Sequence, residues 1–360
     1  KESWATTPGN YDDQYVKNFF QTGDTFNNSV AISSGGQKMT TYFSYANISS
    51  TGIAPGNTYE KNNFTFKQSA KLFNDKVTVT SNVILALEKT ENRMASGYYL
   101  NPLTGLYQFP RDRNFYDYKN NYQIFDTDRN LYTQNWFVVD HQQSNPYWIV
   151  NKEPLTEDAK RVIGSLNIEY EIMDNLRFQI RGSYDYAIRT YDQQNAAGSN
   201  STNVSPNGSW NYSKTDDQLS YADAILTYDT TFGEDFTLSA TGGASYQKSK
   251  YGDGVGVNSG VTGLLYPNEF YFQNLPTNVQ VSSLYGSESI KEGLFFNGQL
   301  GFKEMLFLDV SGRNDWASTL ALTGNDSYFY PSVGVTALFH EMFQLPEVMS
   351  FAKLRGSFTQ

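Results

Sequence analysis

Apolar and polar residues alternate with a period of two over twelve stretches of this chain. Between Leu176 and Arg189, one parity holds Leu176, Phe178, Ile180, Gly182, Tyr184, Tyr186 and Ile188. The other holds Arg177, Gln179, Arg181, Ser183, Asp185, Ala187 and Arg189. A period of two sends successive side chains to opposite faces of a β-strand, so the run predicts a strand with one greasy and one hydrophilic face. It is longer than the usual globular strand of about 5–6 residues. It also exceeds the ~9–11 residues a tilted strand needs to cross a bilayer.

The links between these stretches alternate in length. Links at 35–37, 73–75, 173–175, 232–235 and 303–304 are tight. Those between them are long: 50–57, then about seventy residues at 90–158, then 192–214 and 251–287. The last two strands are predicted at about 327–340 and 350–360, joined by a longer turn at 341–349. Gly35-Gly36 is expected to supply the positive φ of the first tight turn. Tight turns on one rim and large loops on the other are the layout of an up-and-down barrel in a membrane. The fold class predicted is therefore all-β: an antiparallel up-and-down transmembrane β-barrel, of which residues 1–360 supply about twelve strands. With the tight links counted as periplasmic, the first strand runs toward the periplasm, the last runs outward, and 90–158 is a long extracellular loop.

A soluble sandwich could use the same alternation to fill a core. Strand length and lopsided links favour lipid, and so do aromatics near strand ends, as at Tyr170, Phe178, Phe232, Phe236, Phe302 and Phe307, where a membrane interface would place them. Arg177, Arg181, Asp185 and Arg189 on one strand would be costly in a dry core, whereas a wet interior accommodates them.

Composition narrows the reading. Mean hydropathy is −0.53 and no run of eighteen apolar residues exists, so no transmembrane helix is predicted. Cysteine is absent, which removes disulfides and thiolate metal sites. A net charge of −10 with pI near 4.8 argues against nucleic acid as a partner. Enzyme signatures are weak: His141 and His340 lie far apart in sequence. Asp126-Thr127-Asp128-Arg129-Asn130 begins like a calcium loop but has Leu131 where glycine is needed and Phe137 where glutamate is needed. Gly252-Asp253-Gly254-Val255-Gly256-Val257 lacks the last glycine of a dinucleotide fingerprint and reads as a flexible loop. No catalytic residue, metal or cofactor is assigned.

Aromatic residues concentrate at 98–148. Tyr107, Phe109, Trp136, Tyr147 and Trp148, with Arg111 among them, are the candidate ligand contacts, since rings stack on sugars or peptide side chains while polar groups bond hydroxyls. A link this long also needs a core of its own, and the same rings would supply it. Lys67, Glu169, Glu171, Arg177, Arg181 and Asp185 share the hydrophilic parity and are assigned to the lumen, as solvated wall or as supports for a plug.

Three segments resemble the SusC/RagA family of TonB-dependent outer-membrane transporters. They are Asn18-Phe19-Phe20-Gln21-Thr22-Gly23 with Asn27 to Gly36, Tyr42-Phe43-Ser44-Tyr45 and Gly52-Ile53; Val310-Ser311-Gly312-Arg313-Asn314-Asp315-Trp316 running on to Tyr330-Pro331-Ser332-Val333-Gly334; and Lys353-Leu354-Arg355-Gly356-Ser357-Phe358. Where family members often carry tryptophan after the proline-serine pair, Ala337-Leu338 stands here. The resemblance implies a larger parent, a plugged barrel of the 22-stranded class, with its plug before Lys1 and further strands after Gln360. It implies import of a large nutrient, an oligosaccharide in the first place with a peptide as the alternative, driven by the TonB complex, under a SusD-like surface lipoprotein, in the outer membrane of a Bacteroidetes-type Gram-negative cell. A passive porin-like channel and a surface adhesin barrel stay open as alternatives.

Overall fold

The computed structural model describes residues 14–110, 113–138, 143–344, 346 and 348–360. After a short helix α1 (Tyr15–Phe19) come β1 (Asp24–Gly35), β2 (Met39–Thr51), β3 (Thr58–Leu72) and β4 (Val77–Glu91). The long link holds α2 (Pro102–Gln108), α3 (Phe115–Asn120), a ribbon of β5 (Gln123–Asp126) and β6 (Leu131–Gln134), and α4 (Pro146–Lys152). Then follow β7 (Leu155–Met173), β8 (Leu176–Asn195), β9 (Ser209–Phe232), β10 (Phe236–Asn258), the short β11 (Ser282–Leu284), β12 (Ser287–Phe302) and β13 (Leu306–Ala317). β14 (Ser327–Leu338), α5 (Phe339–Met342) and β15 (Lys353–Thr359) close the chain.

Apart from β5, β6 and β11, the strands form one antiparallel up-and-down sheet, the wall, in which each pairs with the next. The hydrophilic parity stays in register across it: Tyr42, Lys67, Asn82, Ser165, Ser183, Tyr221, Gln247 and Lys291 form one row of directly opposed partners. The apolar parity gives the complementary row Met39, Ala70, Val79, Ile168, Ile180, Ala224, Ala244, Leu294. A slip of one residue anywhere would exchange the two faces, so the alternating sequence fixes the register.

Among the described residues no second layer covers the apolar row. Leu166, Ile180, Leu226 and Leu294 are 45%, 46%, 45% and 55% exposed, so a sandwich core is excluded. Buried apolar side chains gather instead at the long-link end, in two clusters around Phe109 and Trp210. That end, with α1 and the links between β4 and β7, β8 and β9, and β10 and β12, is termed the crown.

Several local expectations need correction. Gly35 belongs to β1 and Gly36 has no positive φ; the Gly36 N–H donates to the Met39 carbonyl at 2.8 Å. Left-handed backbone is used instead at Phe73, Asn74 and Asp75 (φ 52°, 56° and 68°) and at Lys303 and Glu304 (52° and 56°). Two successive positive-φ residues match the right-handed twist of the strands they join, even when neither is glycine. Residues 252–257 are strand rather than flexible loop, and Gly252 (φ 77°) sits at the register shift between Tyr251 and Asp253, as a β-bulge requires. β9 and β10 reach 24 and 23 residues, taking up much of the links predicted at 192–214 and 251–287. β14 ends at Leu338 because α5 follows, and Phe307 faces the hydrophilic side, its ring packed over Gly301, 3.1 Å from where a Cβ would stand.

Candidate functional site

The apolar face of the wall is a band with edges. On its tight-turn side Phe232, Phe236 and Phe302 run ring to ring (centroids 5.5 and 5.0 Å), and Tyr170 stands opposite Phe178. On the other side lie Tyr45 and Phe64 (4.8 Å), Tyr184 and Tyr186, Tyr246 and Trp316. Ten residues separate Phe236 from Tyr246 along β10; at ~3.3 Å per residue and a tilt of about 40° this is roughly 25 Å of height, the height of the lipid-facing band of an outer-membrane barrel. Beyond the second aromatic row the same parity turns charged, with Lys89 bonded to Glu91 (2.6 Å) and Lys248 to Glu288 (2.9 Å). Among the described residues no helix is long and apolar enough to cross a membrane; strands are a separate matter.

The opposite face carries charge in cross-strand pairs. Arg181 holds Asp223 through two nitrogens (2.9 and 2.6 Å), and the Tyr221 hydroxyl donates to the same carboxylate at 2.7 Å. Asp223 is fully covered on its side chain, and the geometry is the bidentate fork that makes such a pair strong. Arg161 pairs with Asp185, Arg189 with Asp217 (2.8 Å) and Arg177 with Asp229 (3.0 Å). Arg313 bonds Asp315 (2.7 Å) and Ser245 (3.0 Å), with its guanidinium over the Phe295 ring at 5.5 Å. Of the six side chains assigned to this face from sequence, Arg177, Arg181 and Asp185 are thus neutralised within the wall. Lys67, Glu169 and Glu171 lie on the same face toward the tight-turn end and make no ion pair with any described residue.

The crown is organised differently. Asn101, Asn114 and Asn145 each cap a helix with the side-chain oxygen, accepting from the backbone N–H of Leu103 (3.0 Å), Tyr116 (3.1 Å) and Tyr147 (2.9 Å). Proline follows directly at Pro102 and Pro146, preset for the first helical turn. Asn145 is fully buried and its amide also donates to the Tyr118 and Asn135 carbonyls (2.9 and 2.8 Å), tying three segments together.

Phe109 is 4% exposed, ringed by Tyr15, Phe115, Tyr118, Trp136 and Phe137 at centroid distances of 5.0–5.7 Å. Trp136 is buried in the same cluster, and Tyr147 packs onto it through Phe19 (5.5 Å). The Tyr147 hydroxyl is buried without a hydrogen-bond partner, and burial pushes its pKa up to about 12. Trp148 points the other way, 1% exposed, its indole N–H donating to the Ser199 hydroxyl at 2.7 Å. Phe109, Trp136 and Trp148 are thus spent on the crown's own packing, and Tyr147 is half-buried. Among the described members of the set only Tyr107 is well exposed, at 64%; Arg111 and His141 lie outside the described residues. Asp126 spends one carboxylate oxygen on the N–H groups of Asp128 (3.0 Å) and Arg129 (3.2 Å), closing the β5–β6 turn. His340 bonds the Ala352 carbonyl (3.1 Å) and packs at a tilt against the Phe351 ring (4.5 Å), holding the last hairpin.

Sequence reasoning missed three participants. Phe19, 2% exposed, and Tyr15 bring α1 into the aromatic cluster, and the Asn18 amide donates to the Tyr116 hydroxyl at 2.7 Å. The Asn-Pro pairs announced α2 and α4 inside what read as plain loop. Nothing local announced the burial of Glu153, the residue ending α4.

No family model matches this sequence, and no curated protein matches it. Solved structures do. The RagAB peptide importer in its open-open state superposes with a TM-score of 0.78 at 18% identity, over 98% of this chain and 38% of that one. The RagAB peptide transporter gives 0.75 at 17% identity, over 97% and 38%. The ferric citrate transporter FecA, unliganded, gives 0.53 at 10% identity, over 91% and 40%. The chain therefore spans about two-fifths of the length of these transporters, and its fold is that of a stretch of their barrel wall.

Proposed function

We propose that this chain forms part of the wall and outer rim of a TonB-dependent outer-membrane importer. The observation that carries the reading is the uncovered apolar band of roughly 25 Å, bordered by aromatics on both sides and backed by a face of paired charges. A face that greasy needs acyl chains against it, and a face that charged needs water or a polar filling behind it. The crown then stands outside the cell, with residues 90–158 as its largest loop. Lys67, Glu169 and Glu171 are free to meet a plug supplied by other parts of the protein. A SusD-like lipoprotein would lie over the crown, and the TonB complex would supply the driving force from the inner membrane.

The cargo is a nutrient too large for a porin. The likeness to RagAB, a peptide importer, supports an oligopeptide. So does the crown, whose candidate rings are used mainly as its own core and leave Tyr107 as the exposed platform among them. An oligosaccharide is the competing cargo. Uptake of labelled oligopeptides and oligosaccharides by cells carrying the full-length protein tests both points. Peptide accumulation that stops when the proton-motive force is dissipated is the expected result. Uptake that continues without it would make the barrel a passive channel, and surface binding without uptake would make it an adhesin.

A further inference from the structure

The apolar face of the wall has a hollow in it, over β8, β9 and β10. Gly182, Ala222 and Tyr246 form one directly opposed row, and Ile180, Ala224, Ala244 and Leu294 form the next outward-facing row toward mid-band. Side chains no larger than a methyl at Ala222, Ala224 and Ala244 make the floor, while Ile180, Leu294, Tyr246 and Trp316 stand around it. The hollow encloses about 610 Å³, inside the roughly 300–1,000 Å³ range of pockets that take a small organic molecule. It starts at the outer aromatic row and runs toward the middle of the band.

One member of its rim is out of keeping with a greasy surface. Glu292 is opposed to Tyr246 on one side and Trp316 on the other, so it stands in the aromatic row itself. It makes no hydrogen bond or ion pair with any described residue. Lys248, two residues beyond Tyr246 on the same face of β10, is bonded to Glu288 at 2.9 Å instead. Lys291 and Arg313 have the parity of the charged face and lie on the other side of the sheet. The Trp316 indole N–H and the Tyr246 hydroxyl are also without a partner among the described residues. Tyrosine and tryptophan mark the depth of lipid headgroups, so the carboxylate sits where headgroups lie and the hollow where their chains begin.

Hollow and carboxylate together describe a ligand in two parts. The outward-facing lining is apolar or aromatic apart from Glu292, and it takes hydrocarbon. The carboxylate takes a cation, and the neutral N–H and O–H donors beside it suit phosphate or ester oxygens. A headgroup bearing only negative charge would meet Glu292 with no free cation to offset it. A second copy packed here face to face would set Glu292 against an apolar band or its own equivalent, leaving the charge uncompensated. The geometry points to a binding site for a phospholipid with a primary ammonium headgroup, of the phosphatidylethanolamine kind, its ammonium on Glu292 and one acyl chain over Ala222, Ala224 and Ala244. The inference rests on the band being lipid-facing, and adds which lipid that face selects at one place.

Native mass spectrometry of the full-length protein tests this, with detergent micelles doped in turn with phosphatidylethanolamine and with phosphatidylglycerol of identical chains. One phosphatidylethanolamine should be retained with about fivefold higher affinity than phosphatidylglycerol, near the most that an exposed ion pair supplies. Glu292→Gln should erase that preference. Ala224→Phe, which fills the floor from the lipid side, should weaken retention of both lipids. Equal retention by the wild type, or a preference that survives Glu292→Gln, overturns the headgroup assignment. A preference that Ala224→Phe leaves at full strength overturns the position. A doubled mass that Ala224→Phe dissociates overturns the lipid in favour of a second copy. Retention of neither lipid overturns the inference together with the lipid-facing band, whereas transport is judged by the uptake assay alone. The wild-type comparison of the two lipids decides the matter even where a variant fails to fold.

Discussion

The wall and the crown solve the same problem in opposite ways. The wall leaves Ile180, Leu226 and Leu294 uncovered along a continuous face and keeps its polar groups paired on the other. The crown has no such face, and instead turns Phe109, Trp136 and Trp148 inward, with helices and a ribbon arranged around them. The difference teaches where each region's apolar solvent comes from. On the proposed reading the sheet is embedded in lipid and uses the acyl chains, so its greasy side chains need no internal partner. A link outside the lipid must bury its own apolar surface in a core, which is why rings that look suited to ligands are spent on packing.

The sharpest test of that contrast is in the crown. Replacing Trp148 with alanine should cost about 3–5 kcal/mol, as large aromatic truncations in packed cores do, and should expose the link between β4 and β7 to protease. The wall's β-sheet circular dichroism in lipid should be unchanged. Simultaneous loss of both would mean that the two regions fold as one unit.

A charge placed on the band probes the wall. Leu226→Arg, on the apolar face of β9 between the bordering Phe232 and Ala222, the partner of Tyr246, should destabilise the protein in lipid vesicles by about 2–4 kcal/mol, measured by denaturant titration. If water rather than lipid bathes that face, the change should stay within about 0.5 kcal/mol, as at ordinary surface sites.

The smallest effect is expected on the charged face. Arg177 and Asp229 are both nearly half exposed, so Arg177→Ala should cost no more than about 1 kcal/mol. A larger loss in the full-length protein than in a plug-deleted form would show that this part of the wall also supports the plug.

Much of the wall was legible because a strand's period is local. The parity of Leu176 to Arg189 separates the faces of β8 without any other residue being known, and the positions of the tight links follow from the same count. The ends of β9 and β10 were not legible: beyond the apolar band the alternation fades, and only pairing with a neighbour keeps residues 209–214 and 252–258 extended. In the site, Arg181 could be assigned to the charged face from its parity. That it grips Asp223, 42 residues away, could not.

By itself the sequence determined which side chains share a face, how long the strands run through the band, and that one face is fit for lipid and the other for water. The backbone pleat fixes these, and it acts over two residues. Only the tertiary structure decided that α1 docks against α3 and α4, that the aromatic rings of the long link face one another, and that Glu153 ends up buried where the crown meets the wall. Those outcomes rest on contacts between segments tens of residues apart, which leave no period in the chain to read.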